Sequence, residues 1–268
     1  MNVSPMYPRL LEEDSKPFDP VWLAKETEKI VTRGKNREER KYTDFYTVGV
    51  YGGISTGYAC GCCLRCCFCW VDLSREYPES MGSFYSPKEA YERLSKAAKM
   101  YNVRKLRISG AEPTLGKEHL LSLLEYVEDS DFSLFILETN GILFGIDKDY
   151  VKKLKNYKKV HVRVSLKAGT PEKFSFLTGA IPESFEIPFD AIKNLLDYGV
   201  RFHVAAMTDP RIMNKSERNE LIDKLKEIDP ILVKYLEEEI IDPYSTTLLR
   251  MKTKGFDIQR FFRKEISF

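Results

Sequence analysis

Hydrophobic and polar positions alternate along most of this 268-residue chain with the periods of strands and helices. Short apolar runs predict six strands, at residues 47–51, 103–109, 133–139, 159–166, 200–207 and 231–236. Apolar positions at helical spacing predict the intervening helices, at residues 86–101, 119–127, 149–157, 188–198 and 216–228. Ser86 and Glu89 form a capping box at the start of one helix, and Gly199 marks the end of another. This alternation predicts one parallel α/β domain, either a partial barrel or a doubly wound sheet.

The two ends of the chain are predicted to be separate from this core. Residues 1–45 are predicted to form an N-terminal accessory segment with a helix at 21–32, residues 46–240 the core, and residues 241–268 a closing segment. Basic and aromatic residues interleave near the C-terminus, which suits RNA binding. Two acidic residues dilute the pattern, so packing against the core is favoured. The residues concerned are Arg250, Lys252, Lys254, Arg260, Arg263, Lys264, Phe256, Phe261, Phe262 and Phe268.

Composition changes this picture little. The chain has 43% hydrophobic and 31% charged residues and a net charge of +2, which is typical of a globular protein without a strong field toward nucleic acid or membrane. No apolar run reaches the roughly 18 residues of a membrane span, and the first 20 residues lack a signal core. We therefore expect a cytoplasmic protein with no membrane partner.

The cysteines change the picture most, because all six lie between residues 60 and 69. Cysteines this crowded could close only one local hairpin, so a metal site is favoured over disulfides. Three sets of ligands compete: Cys62, Cys66 and Cys69 in a C-x3-C-x2-C spacing, a ferredoxin-like run of four from Cys60, and a four-thiolate zinc site. Three thiolates would leave one iron with the open position that a catalytic metal needs, whereas four would suit electron transfer.

The C-x3-C-x2-C segment resembles the signature of the radical S-adenosylmethionine superfamily, in which an aromatic residue, here Phe68, precedes the last cysteine. The resemblance implies an α/β fold with a partial TIM-type (β/α)6 barrel of parallel strands. It also implies that Cys62, Cys66 and Cys69 bind a 4Fe–4S cluster and that S-adenosylmethionine chelates the fourth iron. The other three thiols depart from the usual pattern. They are expected to pack around the loop, with ligation by Cys60 or Cys63 left open.

Two further segments resemble cofactor contacts of the same superfamily. Residues 109–113 are similar to its Gly-Gly-Glu-Pro turn, with alanine in place of the second glycine, which implies contacts from Gly110, Ala111 and Glu112 to the methionine ammonium. On the predicted strand at 159–166, alternation directs polar side chains into the barrel unless the strand is a surface-facing edge. Ser165 and Lys167 there resemble the S-x-K segment of glycyl-radical activating enzymes, which implies contacts to the ribose and the carboxylate.

The implied reaction is reductive cleavage of S-adenosylmethionine to a 5′-deoxyadenosyl radical, which abstracts hydrogen from an unidentified substrate. A protein, an RNA and a small molecule remain open, and an external one-electron donor of ferredoxin or flavodoxin type is implied. Thr139-Asn140-Gly141 resembles the activating enzymes, whereas residues 67–70 and 165–168 resemble the wybutosine-forming tRNA enzyme. That enzyme has N-terminal cysteines for a second cluster, which residues 1–59 lack. A tRNA-modifying enzyme of this type and a non-catalytic iron–sulfur electron carrier are the alternatives.

Overall fold

The computed structural model describes residues 6–36 and 38–262, and a mostly parallel sheet runs through its centre. In this part of the chain the sheet has nine strands. They are β1 (Thr32–Arg33), β2 (Glu39–Val48), β3 (Ile54–Ala59), β4 (Ser83–Tyr85), β5 (Lys105–Gly110), β6 (Leu134–Thr139), β7 (Val160–Leu166), β8 (Phe202–Met207) and β9 (Glu237–Glu239).

Helices occupy most of the connections between the strands. They are α1 (Pro20–Val31), α2 (Pro87–Met100), α3 (Lys117–Glu128), α4 (Ile142–Ile146), α5 (Lys148–Leu154), α6 (Pro171–Thr178), α7 (Ile187–Asp197), α8 (Lys215–Ile228), α9 (Ile231–Lys234) and α10 (Ser245–Thr253). The predicted capping box is present, since the Ser86 hydroxyl accepts from Glu89 N and the Glu89 carboxylate accepts from Ser86 N. α7 ends as predicted before Gly199, whose φ is +65°.

The strand order is β1-β2-β3-β5-β6-β7-β8-β9, with β4 on β2. Every neighbouring pair from β3 to β9 is parallel, whereas β1, β2 and β4 pair antiparallel at one end. The six parallel strands follow one another in sequence order, without the reversal of a doubly wound sheet. The predicted partial TIM-type barrel is therefore confirmed as the fold class.

The hydrophobic core lies between the outer face of the sheet and the helices. Val162, Val164 and Leu166 of β7 are fully buried in the same apolar cluster as Ala191 and Leu195 of α7. The opposite face of β7 carries the polar residues of the alternation. Because β7 pairs with both β6 and β8, the alternative of a surface-facing edge strand is wrong.

The first predicted strand, at residues 47–51, is wrong. Val48 ends the antiparallel strand β2, and Val50–Gly52 form one turn of 3-10 helix before the first parallel strand, β3. Every residue of β3 is buried, but the sequence does not indicate this because the strand contains the polar residues Ser55 and Thr56. Their hydroxyls are satisfied inside the protein, Ser55 by donating to Leu94 O at 2.8 Å and Thr56 by accepting from Arg107 Nε at 3.0 Å.

The last predicted strand, at residues 231–236, is also wrong. These residues begin the short helix α9 instead, and Asp229 Oδ1 accepts from its first backbone N–H, that of Ile231, at 2.9 Å. The sixth parallel strand follows it as β9, three consecutive glutamates. Two of these glutamates, Glu237 and Glu239, pair with Arg163 on β7, so a long-range contact holds this strand in the sheet.

The division into an accessory segment, a core and a closing segment stays a prediction. The boundary drawn at residue 45 falls inside β2, which pairs with β3 from Tyr42 to Val48. Among the residues that the structure describes, no helix is long and apolar enough to cross a membrane.

Candidate cofactor site

The cysteine segment leaves the carboxyl end of β3 and borders a cavity of about 200 Å³ at the carboxyl ends of the parallel strands. Backbone hydrogen bonds fix the segment at both sides. Gly61 N donates to Ser74 O at 3.1 Å, and Cys67 N donates to Leu177 O in α6 at 2.9 Å. Ligands of parallel α/β proteins gather at this end of the sheet.

Three of the six cysteines, Cys62, Cys66 and Cys69, line the cavity. A backbone turn brings two of them together, since Cys69 N donates to Cys66 O at 3.2 Å. The other three thiols lie outside the cavity lining. Cys60 Sγ lies 3.8 Å from Met81 O, and Cys63 Sγ lies 3.2 Å from Asn140 Nδ2. The C-x3-C-x2-C register thus coincides with the cysteines that share one cavity.

The buried thiols differ in how readily they lose a proton. Burial raises the pKa of Cys66 to about 12, and it raises that of Cys60 to about 11. The pKa of Cys62 is lowered because its sulfur accepts a hydrogen bond from Cys63, whose own pKa rises in return. A metal must therefore displace the proton from Cys66 when it binds, as thiolate ligation requires.

The turn at residues 109–113 ends β5 beside these cysteines. Gly110 has φ +94°, and a side chain there would come within 2.9 Å of Ala59 N and O. Ala111 is outside the positive-φ region, so the alanine that replaces a glycine is accommodated without backbone strain. Gly110, Ala111 and Glu112 all line the cavity.

The Glu112 carboxylate ties this turn to the end of β6. Oε1 accepts from Thr114 N at 3.1 Å, Thr114 Oγ1 at 2.6 Å and Thr139 Oγ1 at 2.8 Å, and Oε2 accepts from Asn140 N at 2.9 Å. The Thr-Asn-Gly segment is thus the partner of Glu112. Asn140 also directs Nδ2 toward Cys62 Sγ at 3.6 Å, so it contacts the cysteine segment.

Inside the barrel, the polar face of β7 forms the opposite wall of the cavity. Arg163, Ser165 and Lys167 line it, as the alternation predicted. Lys167 Nζ donates to Ser165 Oγ at 2.5 Å, and Ser165 Oγ donates to Glu239 at 2.8 Å. Among the described residues Lys167 makes no ion pair, so its ammonium is available to an anionic group in the cavity.

Buried arginines around the cysteine segment were missed by the sequence reasoning. Arg65 Nη1 donates to Cys62 O at 2.8 Å, Arg75 Nη1 to Cys66 O at 2.6 Å, and Arg250 Nη1 to Cys69 O at 2.7 Å. Arg40 Nη2 donates to Cys60 O at 2.6 Å. These four are the largest fully buried side chains of the described residues. No periodic pattern marks them, because their partners are backbone carbonyls and, for Arg75 and Arg250, also the Glu76 carboxylate.

These contacts test whether the residues fit an iron–sulfur cluster. Among the described residues, Arg65 Nη2 is buried without a hydrogen-bond partner, and an anionic group nearby would compensate its charge. In the described residues no three His, Cys, Asp or Glu side chains are close enough to hold one metal ion. A cubane cluster does not need three ligands around one metal ion, because each thiolate binds a different iron. Three cavity-facing thiols amid buried cations therefore fit a cluster better than a single zinc ion.

The described part of the basic and aromatic C-terminal stretch is divided between buried and exposed side chains. Arg250 and Lys254 are buried, and Lys254 Nζ donates to Glu12 O at 2.9 Å, so neither is available to RNA. Lys252 and Arg260 are exposed. Arg263, Lys264 and Phe268 lie outside the described residues.

Comparisons with curated proteins find relatives over about half of this chain. The chain is 27% identical over 139 residues to a protein of Saccharolobus islandicus named probable GTP 3′,8-cyclase, covering 52% of this chain and 42% of that protein. It is 32% identical over 117 residues to a protein of the same name from Methanocaldococcus jannaschii, covering 44% of this chain and 37% of that protein. The matches thus span less than half of either relative.

Among solved structures, SuiB of Streptococcus suis bound to S-adenosylmethionine superposes on 76% of this chain and 43% of its own, with a TM-score of 0.54 and 20% identity. TYW1 with a lysine-pyruvate adduct superposes on 70% of this chain and 64% of its own, with a TM-score of 0.52 and 16% identity. These likenesses concern the fold. The sequence model of the radical SAM superfamily matches residues 58–225, which include the cysteine segment and most of the barrel. The chain therefore belongs to the radical SAM superfamily and is an enzyme of that class.

Proposed function

We propose that Cys62, Cys66 and Cys69 hold a 4Fe–4S cluster and that the enzyme cleaves S-adenosylmethionine reductively to start radical chemistry on a substrate. The superfamily uses both of these cofactors. One observation carries the assignment of the ligands: of six neighbouring cysteines, the three that line the cavity have the C-x3-C-x2-C spacing. The same cavity presents the residues expected to hold S-adenosylmethionine.

The proposed cofactor contacts divide between two walls of the cavity. Gly110 and Ala111 present backbone to the cavity beside the cysteines, and the positive φ of Gly110 keeps that wall close to β3. Glu112 positions the wall through its bonds to Thr139 and Asn140, and Oε2 retains capacity to accept from an ammonium. On the other wall, Lys167, which forms no ion pair within the described part of the chain, offers its ammonium to a carboxylate, and Ser165 lies beside it for a ribose hydroxyl.

When bound and reduced by an external one-electron donor of ferredoxin or flavodoxin type, the cluster supplies the electron that splits the sulfonium into methionine and a 5′-deoxyadenosyl radical. The residues of this chain position the reactants and limit the access of water. Phe68, Trp70, Met207 and Ile241 are among the apolar side chains of the cavity that would shield the reacting groups. In the proposed reaction this radical would take a hydrogen atom from the substrate and would be released as 5′-deoxyadenosine.

The substrate is not assigned. The names of the relatives make GTP one compound to assay. Because the matches cover under half of each relative, a protein, an RNA or another small molecule is equally open as the substrate. The wybutosine-type alternative rests on the resemblance of residues 67–70 and 165–168, to which TYW1 adds fold similarity alone. The electron-carrier alternative has no use for the S-adenosylmethionine contacts proposed for Glu112 and Lys167.

The test is anaerobic reconstitution of the full chain, reduction in the presence of S-adenosylmethionine, and measurement of iron and 5′-deoxyadenosine. We expect about four irons per chain and release of 5′-deoxyadenosine. Cys66→Ser is expected to abolish both. Cys60→Ser and Cys67→Ser are matched controls that replace thiols outside the cavity lining and should retain both. A cluster that forms without cofactor cleavage, and that needs Cys60, would identify an electron carrier instead.

A further inference from the structure

The cysteine segment is surrounded by more positive than negative buried charge. Arg65, Arg75 and Arg250 each bind the backbone carbonyl of a different proposed ligand, namely Cys62, Cys66 and Cys69. The three contacts have nearly equal lengths of 2.6 to 2.8 Å, and all three guanidinium groups are at most 2% exposed. One buried cation therefore lies behind each ligand position.

The buried carboxylates beside the cysteine segment, Glu76 and Glu112, are fewer than these three cations, and Glu112 accepts from Thr114, Thr139 and Asn140 rather than from an arginine. Glu76 is shared, because it pairs with Arg75 and also accepts from Arg250 at 2.7 Å. Among the described residues, Arg65 donates hydrogen bonds to the backbone carbonyls of Pro8, Cys62 and Leu64, and its Nη2 has no hydrogen-bond partner. Its guanidinium also lies over the Tyr7 ring, 5.1 Å from the ring centroid, which is a contact without a counterion. Buried charges without counterions are costly, so this arrangement favours an anionic group at the site.

A cluster ligated by three thiolates is such an anionic group, and it gains one further negative charge on reduction. Net charge and nearby hydrogen bonds are among the factors that set iron–sulfur reduction potentials. Electrostatic interactions are strong in the low-dielectric interior, where solvent screens them little. Buried cations should therefore stabilise the reduced cluster more than the oxidised one.

Resting on the function proposed above, we propose that Arg65, Arg75 and Arg250 are positioning residues that raise the reduction potential of the cluster bound by Cys62, Cys66 and Cys69. They hold the three ligand carbonyls and place a positive charge behind each ligand. Their effect would ease electron transfer from the external donor. Arg250 also brings helix α10 into this function, since its guanidinium donates to Cys69 O and to the Glu76 carboxylate.

The experiment is an EPR-monitored redox titration of the reconstituted full chain without S-adenosylmethionine, together with its iron content. Arg65→Gln removes the charge and keeps donors for the carbonyls, and Arg65→Lys keeps the charge and loses the planar fork. Arg218→Gln is the control, because Arg218 pairs with Glu238 on the exposed side of β9. We expect Arg65→Gln to lower the equilibrium constant for one-electron reduction at least tenfold, which is about 59 mV. Arg65→Lys and Arg218→Gln should keep the wild-type potential.

The outcomes separate a charge effect from a structural one. If the Arg65→Gln variant fails to bind the cluster and the Arg65→Lys variant binds it, the proposal is also supported, because the positive charge is then required for binding. Wild-type potential in Arg65→Gln overturns the proposal, and so does equal loss of cluster in both Arg65 variants. Because these measurements omit S-adenosylmethionine, they are independent of the cleavage assay. A wild-type chain that binds a cluster but releases no 5′-deoxyadenosine refutes the proposed function without changing this comparison.

Discussion

Glu112→Gln is the substitution that most directly tests how the cavity is built. The carboxylate accepts four hydrogen bonds, three at Oε1 and one at Oε2, and every donor belongs to Thr114, Thr139 or Asn140. A glutamine of the same shape has one accepting oxygen and one donating nitrogen. In either orientation its amide nitrogen faces a backbone N–H, that of Asn140 or that of Thr114.

The cost follows from this mismatch. The hydroxyls of Thr114 and Thr139 can rotate to accept from an amide, but a backbone N–H cannot. One bond to a charged acceptor is therefore lost and one buried N–H is left unsatisfied. Together these losses correspond to about 3 kcal/mol of the free energy of unfolding. The effect is expected without any cofactor, because all the partners are protein groups.

Denaturant unfolding of the cluster-free protein, followed by far-ultraviolet circular dichroism, measures this free energy. We expect a lower midpoint with an unchanged slope for Glu112→Gln. Glu125→Gln on the exposed face of α3 is the matched control, and its effect should stay within about 0.5 kcal/mol. A loss below about 1 kcal/mol for Glu112→Gln, on the scale of one ordinary hydrogen bond, would refute the scaffolding role.

Gly110→Ala should lower the free energy of unfolding by about 2 kcal/mol or more, because φ is +94° and the new Cβ would lie 2.9 Å from Ala59 N and O. Gly49→Ala, with no atom within 4 Å of the added Cβ, should leave the melting temperature nearly unchanged, and equal losses would contradict this reasoning. Burial lowers the pKa of His119 to about 4, so the unfolded state binds more protons between that pH and about 6.5. Stability should therefore fall by up to about 3 kcal/mol as the pH drops through this range, and a pH profile of His119→Gln as steep as that of wild type would contradict it. Lys167→Met should weaken S-adenosylmethionine binding about tenfold or more in calorimetry without lowering the melting temperature, and unchanged affinity would exclude the proposed carboxylate contact.

The central strands could be predicted because each is an apolar run bounded by polar turns. Strands β5 to β8 begin within two residues of their predicted starts and end within one residue of their predicted ends. The side chains of β7 that face into the barrel follow from alternation alone. The first and last parallel strands could not be predicted in this way. β3 buries polar side chains that find partners on α2 and β5, and β9 consists of glutamates that depend on Arg163. Tertiary contacts override local preference in both strands.

The site was predictable to the extent that its chemistry lies in local motifs. The cavity-lining cysteines, the turn at Gly110 and the pair Ser165 and Lys167 all belong to short segments. The role of Asn140 as a partner of Glu112 depends on the parallel pairing of β5 with β6. The arginine contacts join residues as far apart as Cys69 and Arg250, and a cation bound to a carbonyl leaves no periodic signal.

The sheet remains open, and its last strand, β9, therefore exposes one edge of unpaired backbone in the described residues. Exposed edges invite pairing with the edge of another chain, which leads to aggregation. β9 is only three residues long, and each residue is a glutamate: Glu237 and Glu239 point into the barrel toward Arg163, and Glu238 pairs outside with Arg218. A second copy that approached this edge would bring like charges together. The acidic strand β9 thus protects the open edge of this incomplete barrel against self-association.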